Sequence, residues 1–303
     1  MKKQRNIFLV CIVIFVIAAL IGYCTYTVIK KRNASGEKEL IISFLDIGQG
    51  DATFITFPNG QQMLVDCAID ARILEALGRV MPFRDFSIDY LVVTHPDLDH
   101  YGGCVDVLKR FDVAQTLYNG YQKETIDYFD VFQQVIQEEG IYHEVSQEEV
   151  LEIASTSVRF LYPTHSVRKD PRIPGNSTDT GSNNTSVVMK LTYGDEDVLL
   201  TGDTEAPLEE YLVSTYDNDL DAEVLKVGHH GSGGSSSQEF LQKVSPEHAV
   251  ISVGADNRYG HPSGRVLKRL QRLHASVWRT DQMGDIIAHI TPSTVYVETR
   301  EQK

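Results

Sequence analysis

Two histidines and two aspartates fall within one short segment of the chain, at His95, Asp97, Asp99 and His100. The segment directly follows the apolar run at residues 90–93, which predicts a short buried strand. We therefore expect the four side chains on the turn that leaves the carboxyl end of this strand. A solvated acidic turn would explain the carboxylates but not the interleaved histidines. We interpret the segment as a metal site, because imidazole and carboxylate groups are common metal ligands.

Other acids and histidines follow three further strand-like runs, at Asp66, Asp203 and the pair His229 and His230. Singly, each has a simpler explanation, because an aspartate after a strand is usually a turn residue or a helix cap. Their coincidence with the first segment favours a common site. We predict Asp203 and His229 as metal ligands, and Asp66 in a supporting or water-holding role. His229 is preferred to His230 because it directly follows the strand and its glycine, although the sequence leaves this choice open.

The order of the secondary-structure patterns predicts the architecture. Strand-like runs such as residues 40–44 and 62–65 come first, and helical patterns such as 205–214 and 263–274 alternate with strands later. This order predicts two sheets with helices on the outside, with the active groups on loops at one edge. The long irregular segment from Pro163 to Asn184 is predicted to form a lid over the pocket.

The composition is that of an ordinary globular chain, with 303 residues, 42% of them hydrophobic and 23% charged. A formal charge of −14 argues against a broad basic surface that captures nucleic acid. It does not exclude a metal that recruits a phosphate locally. The four cysteines are too few for a disulfide framework. Cys67 and Cys104 lie in the globular part, and the sequence does not decide whether they pair.

Residues 7–29 contain no charged side chain, and as a helix they would span a bilayer of roughly 30 Å. Basic residues flank both ends, so the positive-inside rule gives no orientation. A cleaved signal peptide is disfavoured, because no small-x-small cleavage site precedes the second basic cluster. We predict a basic segment at residues 1–6, a transmembrane anchor at 7–29, a tether at 30–39 and a hydrolase domain at 40–299.

From Leu40 to about Glu298 the sequence resembles the metallo-β-lactamase superfamily, whose best-known motif, His-x-His-x-Asp-His, appears here as His95-x-Asp97-x-Asp99-His100. Within it, the chain looks like the hydrolase domain of ComEC-type DNA-uptake competence proteins and its stand-alone relatives. The closer resemblance rests on blocks at residues 45–52, 94–100, 200–203, 225–232 and 259–263, and on Arg279-Thr280-Asp281. It implies an α+β fold, an αββα sandwich of two mixed sheets with outer helices, here preceded by one transmembrane helix.

The resemblance also implies a two-metal site, from which this sequence departs. Asp97 replaces the second histidine, and Asn183 and Asn184 stand where a third-motif histidine often lies. One half of the site then keeps His95 and Asp97, with Asn184 as a carbonyl donor. The other half keeps its usual ligands, with a bridging aspartate, and comprises Asp99, His100, His229 and Asp203. We predict one firm divalent-metal site and a weaker second, with Zn²⁺ or Mn²⁺ bound and the oxygen ligands favouring Mn²⁺.

The expected chemistry is hydrolysis by metal-activated water. Asp66 and Asp97 are predicted to orient or deprotonate that water, and His261, by resemblance near the pocket, to donate a proton to a phosphate oxygen or leaving group. The resemblance implies a phosphodiester substrate, with single-stranded DNA as one candidate. The alternatives are a hydrolase of β-lactam, lactone or thioester bonds, and a non-catalytic metal-binding module. We expect a single-pass protein of the cell membrane with an extracytoplasmic catalytic domain.

Overall fold

The computed structural model of the chain describes residues 38–123, 127–138 and 142–300. The predicted anchor at residues 7–29 lies outside the described residues, as does almost all of the predicted tether. Within these ranges, no helix combines the length and the apolar character needed to cross a bilayer. The described residues therefore comprise most of the predicted hydrolase domain at residues 40–299.

The first sheet is mixed and has eight strands. In chain order they are β1 (Leu40–Phe44), β2 (Thr53–Thr56), β3 (Gln62–Val65), β4 (Ser87–Val93), β5 (Asp112–Tyr118), β6 (Tyr142–Glu144), β14 (Ile286–Thr291) and β15 (Thr294–Thr299). Their order across the sheet is β15-β14-β1-β2-β3-β4-β5-β6. Pairing is antiparallel from β1 to β3 and parallel from β3 to β6. The carboxyl ends of β1, β3, β4 and β5 therefore lie at one edge.

The second sheet is also mixed. Its strands are β7 (Glu149–Ile153), β8 (Thr156–Tyr162), β9 (Val188–Tyr193), β10 (Glu196–Leu200), β11 (Val224–Lys226), β12 (His248–Ile251) and β13 (Ser276–Arg279). They lie in the order β13-β12-β11-β10-β9-β8-β7. Strands β10 to β13 run parallel, so their carboxyl ends also meet at one edge. The predicted pair of mixed sheets is confirmed.

Helices cover the outer faces of both sheets. They are α1 (Arg72–Val80), α2 (Leu98–Tyr101), α3 (Cys104–Arg110), α4 (Asp127–Glu138), α5 (Ala206–Tyr216), α6 (Gln238–Val244), α7 (Gly264–Arg272) and α8 (Thr280–Met283). Successive strand residues point to opposite faces, so Ile55 packs between the sheets while Phe54 packs among residues of α1, α3 and α4. Residues of α5, α6 and α7 form the third apolar layer, against the second sheet. The predicted αββα order is confirmed.

Differences between predicted and observed elements are local. After β4 the chain forms two helices in succession, the short α2 that carries His100 and then α3. A Cβ at Gly103 would lie 2.2 Å from the carbonyl oxygen of Cys67, so only glycine allows the backbones this close. Helix α6 and strand β6 were not predicted from the sequence, because each is short and neither has a strong periodic pattern.

Cys67 and Cys104 form a disulfide, with their Cα atoms 5.1 Å apart. Both side chains are fully buried. The backbone N–H of Cys67 also donates a hydrogen bond of 2.7 Å to the carbonyl of His100. The pairing that the sequence left open therefore joins the loop after β3 to the start of α3, directly beside the segment that carries the ligand candidates.

We expect the Cys67→Ala/Cys104→Ala double variant to lose roughly 4 kcal/mol of unfolding free energy, because the disulfide closes a loop with a sequence separation of 37. Urea unfolding of the full chain under non-reducing conditions measures this loss. The Cys11→Ala/Cys24→Ala variant keeps the disulfide and is the matched control. An equal midpoint for both double variants would contradict a stabilising disulfide.

Candidate metal centre

The candidate site lies where loops from both sheets meet. Asp66 follows β3, and the segment with His95 and His100 follows β4. From the second sheet, Asp203 follows β10 and His230 follows β11. All five side chains are buried, although they come from distant parts of the chain. The predicted convergence of strand-end acids and histidines at one site is therefore present in the fold.

Three histidines direct their Nε2 atoms into this cluster because their Nδ1 atoms are engaged elsewhere. His100 Nδ1 lies 2.8 Å from Asp66 Oδ2, and His230 Nδ1 lies 3.0 Å from the carbonyl oxygen of Ser252. His95 Nδ1 lies 3.0 Å from the Thr94 hydroxyl. The Nε2 atoms of all three histidines are buried and have no hydrogen-bond partner. A buried, unpaired imidazole nitrogen is unfavourable unless a cation or a donor occupies the space beside it.

Carboxylates complete the donor set. Asp203 Oδ2 lies 3.3 Å from His100 Nε2 and 3.4 Å from His230 Nε2, and Asp99 Oδ2 lies 3.4 Å from His230 Nε2. Among the described residues, four overlapping groups have ligand atoms within 4.8 Å of one another, namely His95/His100/Asp203, Asp99/His100/His230, Asp51/Asp66/His100 and Asp51/Asp203/His230. Asp203 Oδ1 and Asp51 Oδ1 are also buried without a partner. Imidazole nitrogens and carboxylate oxygens that converge in this way fit a divalent cation.

The electrostatics agree with this assignment. Burial, together with the neighbouring His100, lowers the pKa of His95 to about 4, so His95 is neutral at pH 7 and can act as a ligand. Burial also disfavours charge on His100, but the carboxylates of Asp203 and Asp66 outweigh it and raise the pKa of His100 well above its usual value. The carboxylates thus favour a positive charge inside the cluster, which a divalent cation supplies when it displaces the proton.

Asp66 occupies a supporting position. Besides His100, its two oxygens accept hydrogen bonds of 2.8 Å from the backbone N–H and from the hydroxyl of Thr94. These bonds fix the carboxylate, which in turn fixes the His100 ring with Nε2 facing the cluster. Asp66 thus lies where it would orient His100 as a metal ligand, and its supporting role stays a prediction.

Asp97 lies at the mouth of the cluster rather than inside it. Its Oδ1 atom is 3.9 Å from His95 Nε2, and it accepts hydrogen bonds from Lys123 Nζ at 2.8 Å and Ser182 Oγ at 2.6 Å. The side chain is 30% exposed. Among the described residues, Asp97 belongs to none of the compact ligand groups. His95 and Asp97, the two members of the predicted weaker half-site, therefore lie next to each other. Asp97, however, is already paired with the ammonium group of Lys123.

The structure places His230, not the predicted His229, in the ligand cluster. His229 Nδ1 lies 3.0 Å from Glu205 Oε1, and its Nε2 is 3.8 Å from Asp203 Oδ2. Its side chain is 23% exposed, whereas that of His230 is 2% exposed. Both residues have left-handed backbone angles, with φ of 48° and 51°. The alternation of side chains along a strand does not apply to this tight turn. The turn directs the His230 ring inward and leaves the His229 ring at the rim.

The side chain of Asn184, the carbonyl donor that the resemblance implied, is engaged by neighbouring backbone groups. Its side-chain oxygen accepts a hydrogen bond of 3.1 Å from the backbone N–H of Glu205, and its amide nitrogen donates to the carbonyl of Thr180. These bonds fasten the end of the long irregular segment beside the cluster. The segment therefore borders the site, as expected, and Ser182 is the residue through which it contacts Asp97.

Sequence reasoning missed two charged residues of the site, Asp51 and Lys226. Lys226 is 3% exposed and pairs with the Asp51 carboxylate, and its Nζ lies 3.3 Å from the carbonyl of Gly202. The available signal was a lysine inside the otherwise apolar run at residues 224–227. Asp51 follows Gly50, whose φ is +120° and where a Cβ would lie 2.4 Å from the backbone oxygen of Asp99.

His261 lies outside the cluster but close to its rim. The centroid of its ring is 5.6 Å from that of His229. Burial and the neighbouring His229 lower the pKa of His261, which favours the neutral ring. The structure therefore brings His261 next to His229 at the rim of the site, near the pocket as the resemblance implied.

Comparisons with known proteins agree with this geometry. The family model described as metallo-beta-lactamase superfamily matches residues 45–255. The chain is 34% identical to ComE operon protein 3 of Bacillus subtilis over 81% of its own length, and 30% identical to competence protein ComA of Neisseria gonorrhoeae over 88%. It spans only 32% and 34% of these two relatives, respectively.

Among solved structures, CmlA, a diiron beta-hydroxylase from Streptomyces venezuelae, is similar with a TM-score of 0.51. The match has 15% identity and covers 84% of this chain and 54% of CmlA, which supports the fold alone. The ordered strand-end ligands, the αββα layers and the family match lead to one conclusion: this chain belongs to the metallo-β-lactamase superfamily, a superfamily of metal-dependent hydrolases.

Proposed function

We propose that this chain is a membrane-anchored, metal-dependent phosphodiesterase, with single-stranded DNA as one candidate substrate. The observation that carries this proposal is the buried convergence of unpaired imidazole nitrogens and carboxylate oxygens at the shared edge of the two sheets. The donor set combines three imidazole nitrogens with carboxylate oxygens, which both Zn²⁺ and Mn²⁺ accept. Such cations are well suited to phosphoryl oxygens.

The residues that would hold a divalent cation are His95, Asp99, His100, Asp203 and His230. When bound, the cation would supply a nucleophile from water near neutral pH and a Lewis acid for a phosphoryl oxygen. Asp66 would keep the His100 ring in its ligating orientation. Asp97, beside Lys123 at the mouth, would orient or deprotonate the attacking water. His261, whose lowered pKa favours the neutral ring, would donate a hydrogen bond to the leaving group.

The substrate class is supported by the relatives rather than by the pocket alone. The name of ComA identifies it as a competence protein, and a further relative, 28% identical, is recombination protein 2 of Haemophilus influenzae. Because the chain spans about a third of ComE operon protein 3 and of ComA, only the part of their activity that resides in this domain is relevant here. Phosphodiester cleavage is the hydrolytic reaction that fits proteins handling DNA.

An extracytoplasmic location is supported by the buried Cys67–Cys104 disulfide. Disulfides persist in oxidising compartments and are rare in the bacterial cytoplasm. The uncharged stretch at residues 7–29 supplies a candidate anchor for such a domain. Strand β1, which follows the predicted tether, begins at the sheet edge opposite the one where the candidate ligands meet.

The Lys226–Asp51 pair has an electrostatic role in this proposal. Burial lowers the pKa of Lys226, but Asp51 and Asp203 outweigh it and raise the pKa above its usual value, so the ammonium stays charged. The charge offsets part of the negative charge that buried carboxylates bring to the site. It also holds Asp51, whose Oδ1 lies 3.4 Å from His230 Nδ1, in contact with a proposed ligand.

Replacing His230 by alanine should weaken Mn²⁺ binding by more than the roughly 10- to 100-fold typical of losing a supporting residue. Asp66→Asn should fall within that range, and His229→Ala should have the smallest effect, because His229 lies at the rim. Isothermal titration of the chelator-treated full chain measures all three. A larger effect at His229 than at His230 would reverse the assignment. Two tightly bound divalent ions per chain in protein purified without chelator would contradict the prediction of one firm site and a weaker second.

Asp97→Ala and Asp203→Ala should each abolish turnover of bis(p-nitrophenyl) phosphate in the presence of Mn²⁺, since the first would lose the group that orients water and the second a shared ligand. Absorbance of released nitrophenolate reports the rate. Asp219→Asn, at a side chain that is 69% exposed, is the control and should retain full activity. If the unaltered chain cleaves neither this compound nor single-stranded DNA, the phosphodiesterase proposal fails and a metal-binding module is favoured.

Lys226→Met should cost about 3–5 kcal/mol of unfolding free energy, because it leaves the buried Asp51 carboxylate without its counter-charge. Combining it with Asp51→Asn should recover part of this loss. The control is Lys243→Met, which breaks a more exposed pair with Asp217 and should cost about 1 kcal/mol or less. Urea unfolding of these three variants and of the unaltered chain gives the comparison. Equal losses of unfolding free energy for Lys226→Met and Lys243→Met would show that the buried pair contributes no more to stability than the exposed pair.

A further inference from the structure

A row of aromatic rings leads from the candidate metal centre to solvent. His229 Nε2 is 3.8 Å from Asp203 Oδ2, and the His261 ring contacts the His229 ring edge-on at 5.6 Å. The Tyr259 ring stacks on His261, with centroids 5.7 Å apart and planes inclined by 16°. Tyr259 is nevertheless 71% exposed. One face of its ring is therefore supported by the site, and the other is open to a ligand.

The turn that carries Tyr259 is held in place by one side chain. Asn257 Nδ2 donates hydrogen bonds of 2.9 Å and 2.8 Å to the carbonyls of Gly254 and His261, and Asn257 Oδ1 accepts one of 2.9 Å from the His261 N–H. The exposed ring is thus presented on a closed turn rather than on a loose loop. A ring fixed in this way loses little conformational entropy when a flat partner stacks on it.

A single exposed aromatic residue is ordinarily unremarkable on a protein surface. Phe83 is an example of this ordinary exposure. It is 91% exposed and lies before β4, at the sheet edge opposite the candidate ligands. Tyr259 differs in three respects. It stacks nearly parallel on a histidine of the site rim, its turn is closed by side-chain hydrogen bonds, and the neighbouring Arg258 is also exposed. A stacking surface beside a cationic side chain is the arrangement by which proteins bind unpaired nucleotides.

We propose that Tyr259 forms a stacking subsite for a nucleobase of the substrate, next to the phosphodiester held at the metal centre, with Arg258 contacting the phosphate backbone. This inference rests on the proposed function and deepens it. A base must be unstacked from its neighbours to reach the open face of the ring, so the subsite selects a single strand over a duplex. Stacking tolerates any base, because every base has a flat face. The acidic chain thereby binds nucleic acid through local contacts, without a broad basic surface.

The test compares two single-stranded oligonucleotides of equal length, one carrying bases and one with abasic tetrahydrofuran units. Binding to the full chain is followed by fluorescence anisotropy of a labelled strand with Ca²⁺, and cleavage is followed separately with Mn²⁺. Tyr259→Leu should weaken binding and lower kcat/KM about 5- to 150-fold for the base-bearing strand, mainly through KM. Values for the abasic strand should not change. Tyr259→Phe should retain most of the binding, because it keeps the aromatic face.

Tyr296→Leu, at another exposed tyrosine that is 46% exposed in β15, is the matched control and should behave as the unaltered chain. Equal losses on both strands would mean that Tyr259 acts only through His261, and no loss on either would mean that it binds no base; both results overturn the subsite. Base-dependent binding through Tyr259 without cleavage of any phosphodiester would uphold the subsite and refute the phosphodiesterase proposal. Cleavage at a rate that depends neither on Tyr259 nor on the bases would uphold the phosphodiesterase proposal and refute the subsite.

Discussion

The structure depends on burying charged and polar ligand groups where two apolar sheets meet. Unpaired imidazole nitrogens and carboxylate oxygens in such a place are unfavourable by themselves, because they lose their hydration and gain no partner. The chain places His95, His100, His230 and Asp203 there nonetheless, with their free atoms facing one another. A bound cation is the compensation that makes this arrangement favourable, and the surrounding groups are organised to receive it.

The groups around the cluster have two effects. Some orient the histidine side chains, and others offset the buried negative charge. Asp66 and the Ser252 carbonyl each engage a histidine through Nδ1, so that Nε2 faces the centre. Lys226 offsets buried negative charge from inside the second sheet, where it takes the place of an apolar residue. The disulfide fastens the loop after β3 to the helix beside His100. Precise placement of a ligand therefore relies on residues that do not bind the metal themselves.

Under the proposed function, the same edge of the sandwich would connect the metal chemistry to a substrate surface. His229, excluded from the ligand cluster by the turn at residues 228–231, instead forms the first ring of a row that continues through His261 to Tyr259. A strongly acidic chain has little long-range attraction for nucleic acid. Local contacts, one cation for the phosphate and one aromatic face for a base, are a physically sufficient alternative when the ligand is small or single-stranded.

The sequence by itself determined the αββα layers, because strand and helix periodicities are local patterns. It also identified most of the ligand candidates, because acids and histidines that directly follow buried strands can be recognised from the sequence. It also suggested a supporting role for Asp66. Only the tertiary structure decided that His230 rather than His229 enters the cluster, because two left-handed residues invert the expected direction of adjacent rings. Asp51, Lys226 and the Cys67–Cys104 bond were likewise decided by long-range packing, because the groups that pair lie far apart in the chain and only the closed sandwich brings them into contact.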